Sequence, residues 1–173
     1  MRLNKLGVAS IAAVLCMSGA TLFFSSGNAS AASTGDNEAL AAAKQYLSTE
    51  PFSLRGLVTQ LEFSKYTAAQ ATYGAEHAGA NWSKQALAAA KQYLSTEPFS
   101  AGGLVAQLEF SKFTASQASY GVAHCGANWN TQAYLAAKQY LSTEAFSLSG
   151  LITQLEFSKF TVAQATYGAR KAY

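Results

Sequence analysis

Residues 39–53 read Ala-Leu-Ala-Ala-Ala-Lys-Gln-Tyr-Leu-Ser-Thr-Glu-Pro-Phe-Ser, and the same stretch returns without a change at residues 86–100. An edited version opens at Ala133, again 47 residues further on. A tandem unit of this length is one supersecondary element that buries its apolar face against its neighbours. The chain is therefore read as three copies, 39–85, 86–132 and a truncated 133–173, behind a leader at 1–31 and a linker at 32–38.

Each copy reads as three short helices, which makes the fold all-α. The first helix of the second copy starts near Asn81, a good N-cap, and runs through Trp82, Ala86, Ala90 and Leu94. Its alanine content favours helix, and it must stop ahead of Pro98, since the residue before a proline avoids helical geometry. The second helix starts at Ser53, Ser100 and Ser147, with Leu54, Leu57, Val58 and Leu61 forming one apolar stripe. Gly56, Gly103 and Gly150 interrupt it in every copy at a cost of roughly 1 kcal/mol, which predicts another helix passing close by. The third helix opens with a capping box, Thr67 with Gln70, repeated as Thr114 with Gln117 and Thr161 with Gln164. A three-residue link between the second and third helices gives a helix-turn-helix outline.

The tryptophans fall only where one copy meets the next, at Trp82 and Trp129, each following an asparagine, Asn81 or Asn128. A trihelical unit of this size is marginal by itself, so each indole is read as the plug of a repeat junction. Near-identical neighbours are also prone to exchange elements during folding, which makes a domain-swapped dimer an expected side product.

The leader differs in kind. Arg2 and Lys5 precede an uncharged, mostly apolar run from Leu6 to Phe24, and Ala29-Ser30-Ala31 fits a small-x-small cleavage site. Two readings stand: a secretory signal removed after about Ala31, or a retained N-terminal anchor that would be the chain's only membrane contact. Cys16 follows Leu15, where lipidation requires a small residue, so it is read as an apolar residue of the leader. Arg2 and Lys5 are two of the 12 basic residues against 9 acidic ones. A chain without its leader is thus close to neutral, with no basic patch to draw phosphate backbones.

No converging chemical groups are found, so no catalytic, metal or cofactor residue is assigned and the chain is read as a non-enzyme. His77 and His124 are equivalent positions, one per copy, and Lys171 replaces them in the third. Cys125 stands where the first copy has Ala78, which makes it a small side chain; neighbouring His124 points elsewhere on the helix. The helix that would enter a DNA groove, 67–77, carries no Lys or Arg, and its Glu76 would oppose phosphate, so nucleic acid is excluded as a partner.

The recurring Phe52-Ser53-x-x-Gly56-Leu57-x-x-Gln60-Leu61, Thr67-x-x-Gln70-Ala71-x-Tyr73 and Asn81-Trp82-x-x-Gln85-Ala86 resemble the Ltp family, the host cell surface-exposed lipoproteins. The resemblance runs from about Glu38 to Tyr173. It implies a bacterial or prophage protein at the cell surface whose helix-turn-helix-like repeats contact proteins, with superinfection exclusion as the family activity. This chain departs from the family in having Asn before Trp where Asp is usual, and in lacking the lipobox. The resulting expectation is an exported protein, secreted or surface-associated, that binds a protein partner such as a phage tail or envelope component. The alternatives are a cell-wall or glycan-binding module using exposed aromatics such as Tyr46 and Tyr73, and a structural spacer of the envelope.

Overall fold

The computed structural model describes residues 32–173, so the leader readings lie outside the described residues. Nine α-helices and no strands occur among them, in three groups of one long and two short helices. In the first unit α1 is Thr34–Thr49, α2 is Leu54–Phe63 and α3 is Ala68–His77. The second unit has α4 (Trp82–Thr96), α5 (Ala101–Phe110) and α6 (Ala115–His124); the third has α7 (Trp129–Thr143), α8 (Leu148–Phe157) and α9 (Val162–Ala172).

The period is kept but its phase moves. Cuts at 85/86 and 132/133 fall inside α4 and α7, whereas the packed units begin at the caps Ser33, Asn81 and Asn128. In that phase the third unit is not truncated, because it holds all three helices. The expected linker 32–38 is mostly the first turn of α1. Ser33 accepts the Asp36 N–H, and the Asp36 carboxylate accepts the Ser33 N–H at 2.8 Å, a capping box that starts the helix early.

Each unit has its own small core. In the second, Ala86, Ala89 and Ala90 of α4 meet Leu104 and Leu108 of α5 and Ala118 and Val122 of α6. Every substantial helix–helix contact lies within a unit, with the long helix against the third as the closest pair. That pair is close because a glycine of the third helix lies on an alanine of the first. A Cβ at Gly121 would stand 2.7 Å from the Ala86 carbonyl oxygen, and one at Gly74 the same distance from that of Ala39. The glycine reading is thus corrected. Gly56, Gly103 and Gly150 approach the hydroxyl of their own N-cap serine, at 2.8, 2.9 and 3.1 Å from a built Cβ. The tight helix crossing is at Gly74, Gly121 and Gly168.

Neighbouring units join through a few directed contacts. The Ser53 hydroxyl donates to the Ser111 carbonyl at 2.7 Å, and Ser100 repeats this to Ser158 at 2.6 Å. The Phe52 N–H donates to Gln85 Oε1 and the Phe99 N–H to Gln132 Oε1, both at 3.2 Å. Trp82, at the start of α4, packs half-buried on the core of the first unit, and Trp129 packs likewise on that of the second.

Candidate interaction surface

The helices dispose of their polar ends locally. Ser53, Ser100 and Ser147 accept the N–H of Gly56, Gly103 and Gly150. Thr67 with Gln70, Thr114 with Gln117 and Thr161 with Gln164 form reciprocal boxes, at 3.0–3.3 Å in the first two. Asn81 and Asn128 accept the N–H of Lys84 and Thr131, each at 3.0 Å. These residues are spread one or two per helix start and converge nowhere. The two tryptophans likewise serve separate junctions.

The turn between the second and third helices holds a feature the sequence reading missed. Lys65, Lys112 and Lys159 adopt left-handed backbone, with φ of 73°, 68° and 66°. The Lys65 N–H reaches the Glu62 carbonyl at 2.9 Å and the Tyr66 N–H that of Leu61 at 3.2 Å, which is a Schellman end with lysine where glycine is usual. The signal was present in the three-residue Ser-Lys-aromatic link, too short to leave one helix and enter another without such a reversal.

Just ahead of this turn stands the largest exposed apolar feature common to all units. Leu57 and Leu61 take the inward face of α2, and Phe63, two residues on, lies about 200° around the helix from Leu61. Phe63, Phe110 and Phe157 are equivalent, and they are 66 %, 69 % and 79 % exposed. Each is preceded by an exposed glutamate and followed two residues later by an exposed lysine. An aromatic ring flanked by both charges suits protein recognition, where a few desolvated aromatic anchors carry most of the affinity.

Most of the other aromatics are engaged, although Tyr173 at the end of the third unit is as exposed as Phe63. Tyr46 is half-buried, edge-on to Phe52, with its hydroxyl 2.8 Å from Ser64 Oγ. Ser64 donates its own proton to the Gln60 carbonyl, so Tyr46 is the donor. This corrects the reading of Tyr46 as an exposed platform. Tyr73 stacks on His77 at 4.0 Å, and the His77 Nδ1 lies 2.8 Å from the Tyr73 carbonyl oxygen. Lys171 stands in place of histidine in the third unit, 4.9 Å from the Tyr134 ring centre and 5.4 Å from that of Tyr167. Cys125 ends α6 half-buried, its thiol directed to the Val122 carbonyl. At Tyr66, burial, then the Glu38 charge and Tyr46, push the phenol pKa above the usual 10.0. Among the described residues no group of His, Cys, Asp and Glu could hold a metal, and no helix is long and apolar enough to cross a membrane.

An all-α array of capped three-helix units, each with one exposed phenylalanine at a matching position, defines a helical repeat protein. The family described as host cell surface-exposed lipoprotein matches three times, over residues 35–77, 81–125 and 128–170, and the chain belongs to that family. A solved structure of Ltp, a superinfection exclusion protein from the Streptococcus thermophilus temperate phage TP-J34, is 40% identical. It matches 53% of this chain and 95% of its own with a TM-score of 0.51. Comparison with proteins of curated function returns no match. Surface exposure and superinfection exclusion, the properties ascribed to the family and to that phage protein, are not catalytic activities.

Proposed function

We propose that this chain is exported, stands at the cell surface and acts by binding a protein there, as a superinfection exclusion factor that blocks entry of phage DNA. The observation that carries the reading is the trio Phe63, Phe110 and Phe157, exposed at matching positions in a family described as surface-exposed. A similar protein with a solved structure is a superinfection exclusion protein, which supports the activity. The partner is a tail or envelope component with an apolar groove, because three repeated rings engage a repetitive or elongated target most economically.

The test is phage plating on a sensitive host that displays the chain, beside Phe63→Ser, Phe110→Ser and Phe157→Ser combined. The unsubstituted chain is expected to lower plating and DNA entry, and the triple variant to restore both. An aromatic anchor contributes ~2 kcal/mol or more to an interface, so losing three abolishes binding while the exposed positions leave folding intact. Normal DNA entry into cells that display the unsubstituted chain would exclude the proposal.

A further inference from the structure

The two internal junctions use the same parts, and the burial of equivalent residues separates a leading face from a trailing one. On the leading face, Ser53 and Ser100 are 2 % exposed where another unit is seated, whereas Ser147 of the third unit is exposed. Its hydroxyl turns to Ser149 Oγ at 3.2 Å rather than to a carbonyl of a following unit. On the trailing face, Phe113 and Phe160 are each 5 % exposed and Ala89 and Ala136 4 % and 5 %. Their counterparts on the first unit, Tyr66 and Ala42, are only half-buried.

The left-handed lysines belong to the trailing face. Lys112 Nζ donates to Thr59 Oγ1 of the preceding unit at 2.8 Å. The Lys159 stem lies over Gly102, its Cβ 3.2 Å from a Cβ built there. Lys65 holds the same strained conformation on the first unit, exposed to solvent. The described array therefore carries one copy of each half of the junction with no unit seated on it. The leading half is touched only at its edge by the exposed Tyr173, whose hydroxyl donates to the Phe146 carbonyl at 3.3 Å.

We infer that a second copy of this chain seats the trailing face of its first unit on the leading face of the third, repeating the internal junction between molecules. Ser147 then donates to the Ser64 carbonyl, as Ser53 does to Ser111. The Phe146 N–H donates to the Glu38 carboxylate, which occupies the place of the Gln85 amide oxygen. Lys65 reaches Thr153, the counterpart of Thr59. The intermolecular junction lacks one part, because Gly35 stands where Trp82 and Trp129 do, and it has no covalent tether. Contact of this head-to-tail kind does not close on itself as a two-fold dimer would, so it grows open chains or rings. Its weaker, untethered form makes that growth reversible.

Sedimentation velocity on the full chain tests this, from ~1 µM to ~1 mM, the upper end being the effective concentration that a short tether gives the internal junctions. The mean sedimentation coefficient is expected to rise steadily with concentration. Ala42→Arg fills the trailing face and Thr153→Arg sets a like charge before Lys65, so each variant alone is expected to remain a monomer. Mixed in equal amounts, they retain one intact face each and are expected to form dimers that grow no further. Circular dichroism melting of each variant checks that both are folded. An unsubstituted chain that stays monomeric over the whole range overturns the inference. So does association that survives either substitution, which would place the contact in the N-terminal segment or on another surface, and so does a mixture of folded variants that fails to dimerise.

Discussion

At Gly121 a single missing Cβ decides how α4 and α6 meet. The obstacle to any side chain there is backbone, the Ala86 carbonyl oxygen 2.7 Å from a built Cβ, and backbone cannot turn aside. Gly121→Ala is therefore expected to cost about 1–3 kcal/mol by overpacking, read as a lower urea midpoint. Gly102 is the contrast. A Cβ there comes no nearer than 3.2 Å to any atom, the Lys159 Cβ, with the Lys159 carbonyl oxygen at an ordinary 3.6 Å. Arg55 and Ser149 occupy the same position in the other units. Gly102→Ala is expected to be neutral or to stabilise by up to ~1 kcal/mol. Recurrence of glycine marks close approach, which is why Gly56 drew the expectation of a passing helix, but the same logic holds with more force at Gly74, in the interior of a capped helix. Recurrence alone does not say whether the crowding atom is a distant helix or the glycine's own cap. Tyr66 offers a second test at this scale. Its raised pKa means the folded chain holds that proton more tightly than the unfolded one above pH 10. Stability is thus lost as pH rises from the unfolded value through the folded one. Tyr66→Phe, which installs the residue found at 113 and 160, is expected to flatten the loss and remove a late-titrating phenol from an alkaline absorbance titration.

Helix ends explain why three near-identical units keep their shape, and they separate what the sequence displays from what it hides. Caps are legible because one residue type at one spacing satisfies a backbone donor: Ser53, Thr67 with Gln70, and Asn81 could be read directly. The second use of a cap is not legible. Ser100 accepts the Gly103 N–H and also donates across the junction to Ser158. Ser147 keeps the capping bond to Gly150 and has only an exposed contact with Ser149 Oγ in place of the buried bond to a neighbouring carbonyl. Ser100→Ala is accordingly expected to cost more than Ser147→Ala by ~1 kcal/mol, the worth of the added hydrogen bond, in paired denaturant titrations. The exposed phenylalanines were hidden for a related reason, since helix periodicity marks the inward stripe and leaves several outward positions undistinguished. The length of the Ser-Lys-aromatic link demanded a chain reversal, but lysine itself gives no hint that it takes the positive φ. Left-handed backbone costs an ordinary residue about 1–2 kcal/mol. Lys65→Gly should release part of that and raise the urea midpoint, and Lys112→Gly should gain less because it also loses the bond to Thr59. Equal gains at both positions would remove the junction role assigned to Lys112.

The described residues form three small cores in series rather than one. In each unit two leucines are the only large side chains fully buried, and most of the remainder of the core is alanine. Such an array has a stability near the sum of unit terms and nearest-neighbour terms, so its cooperativity is set by the junctions. Two hydrogen bonds of the kind between Ser53 and Ser111 contribute little against the entropy of holding units together. The half-buried indole is the larger contribution. Trp82 covers the first core and Trp129 the second, while the third core ends on Ala172. The consequence is directional. Trp82→Ala should weaken the first unit and its hold on the second, Trp129→Ala the second and its hold on the third, and neither touches the third core. A fully buried Trp→Ala change costs ~3–5 kcal/mol, and half-burial scales this down to roughly half. Together the two substitutions are expected to split a single calorimetric melt, with the third unit keeping its own midpoint while the first two melt earlier. The ratio of van't Hoff to calorimetric enthalpy should then fall well below one. A double variant that still melts in one sharp step would mean that the units are coupled through their backbone contacts, and that the indoles serve only their local cores.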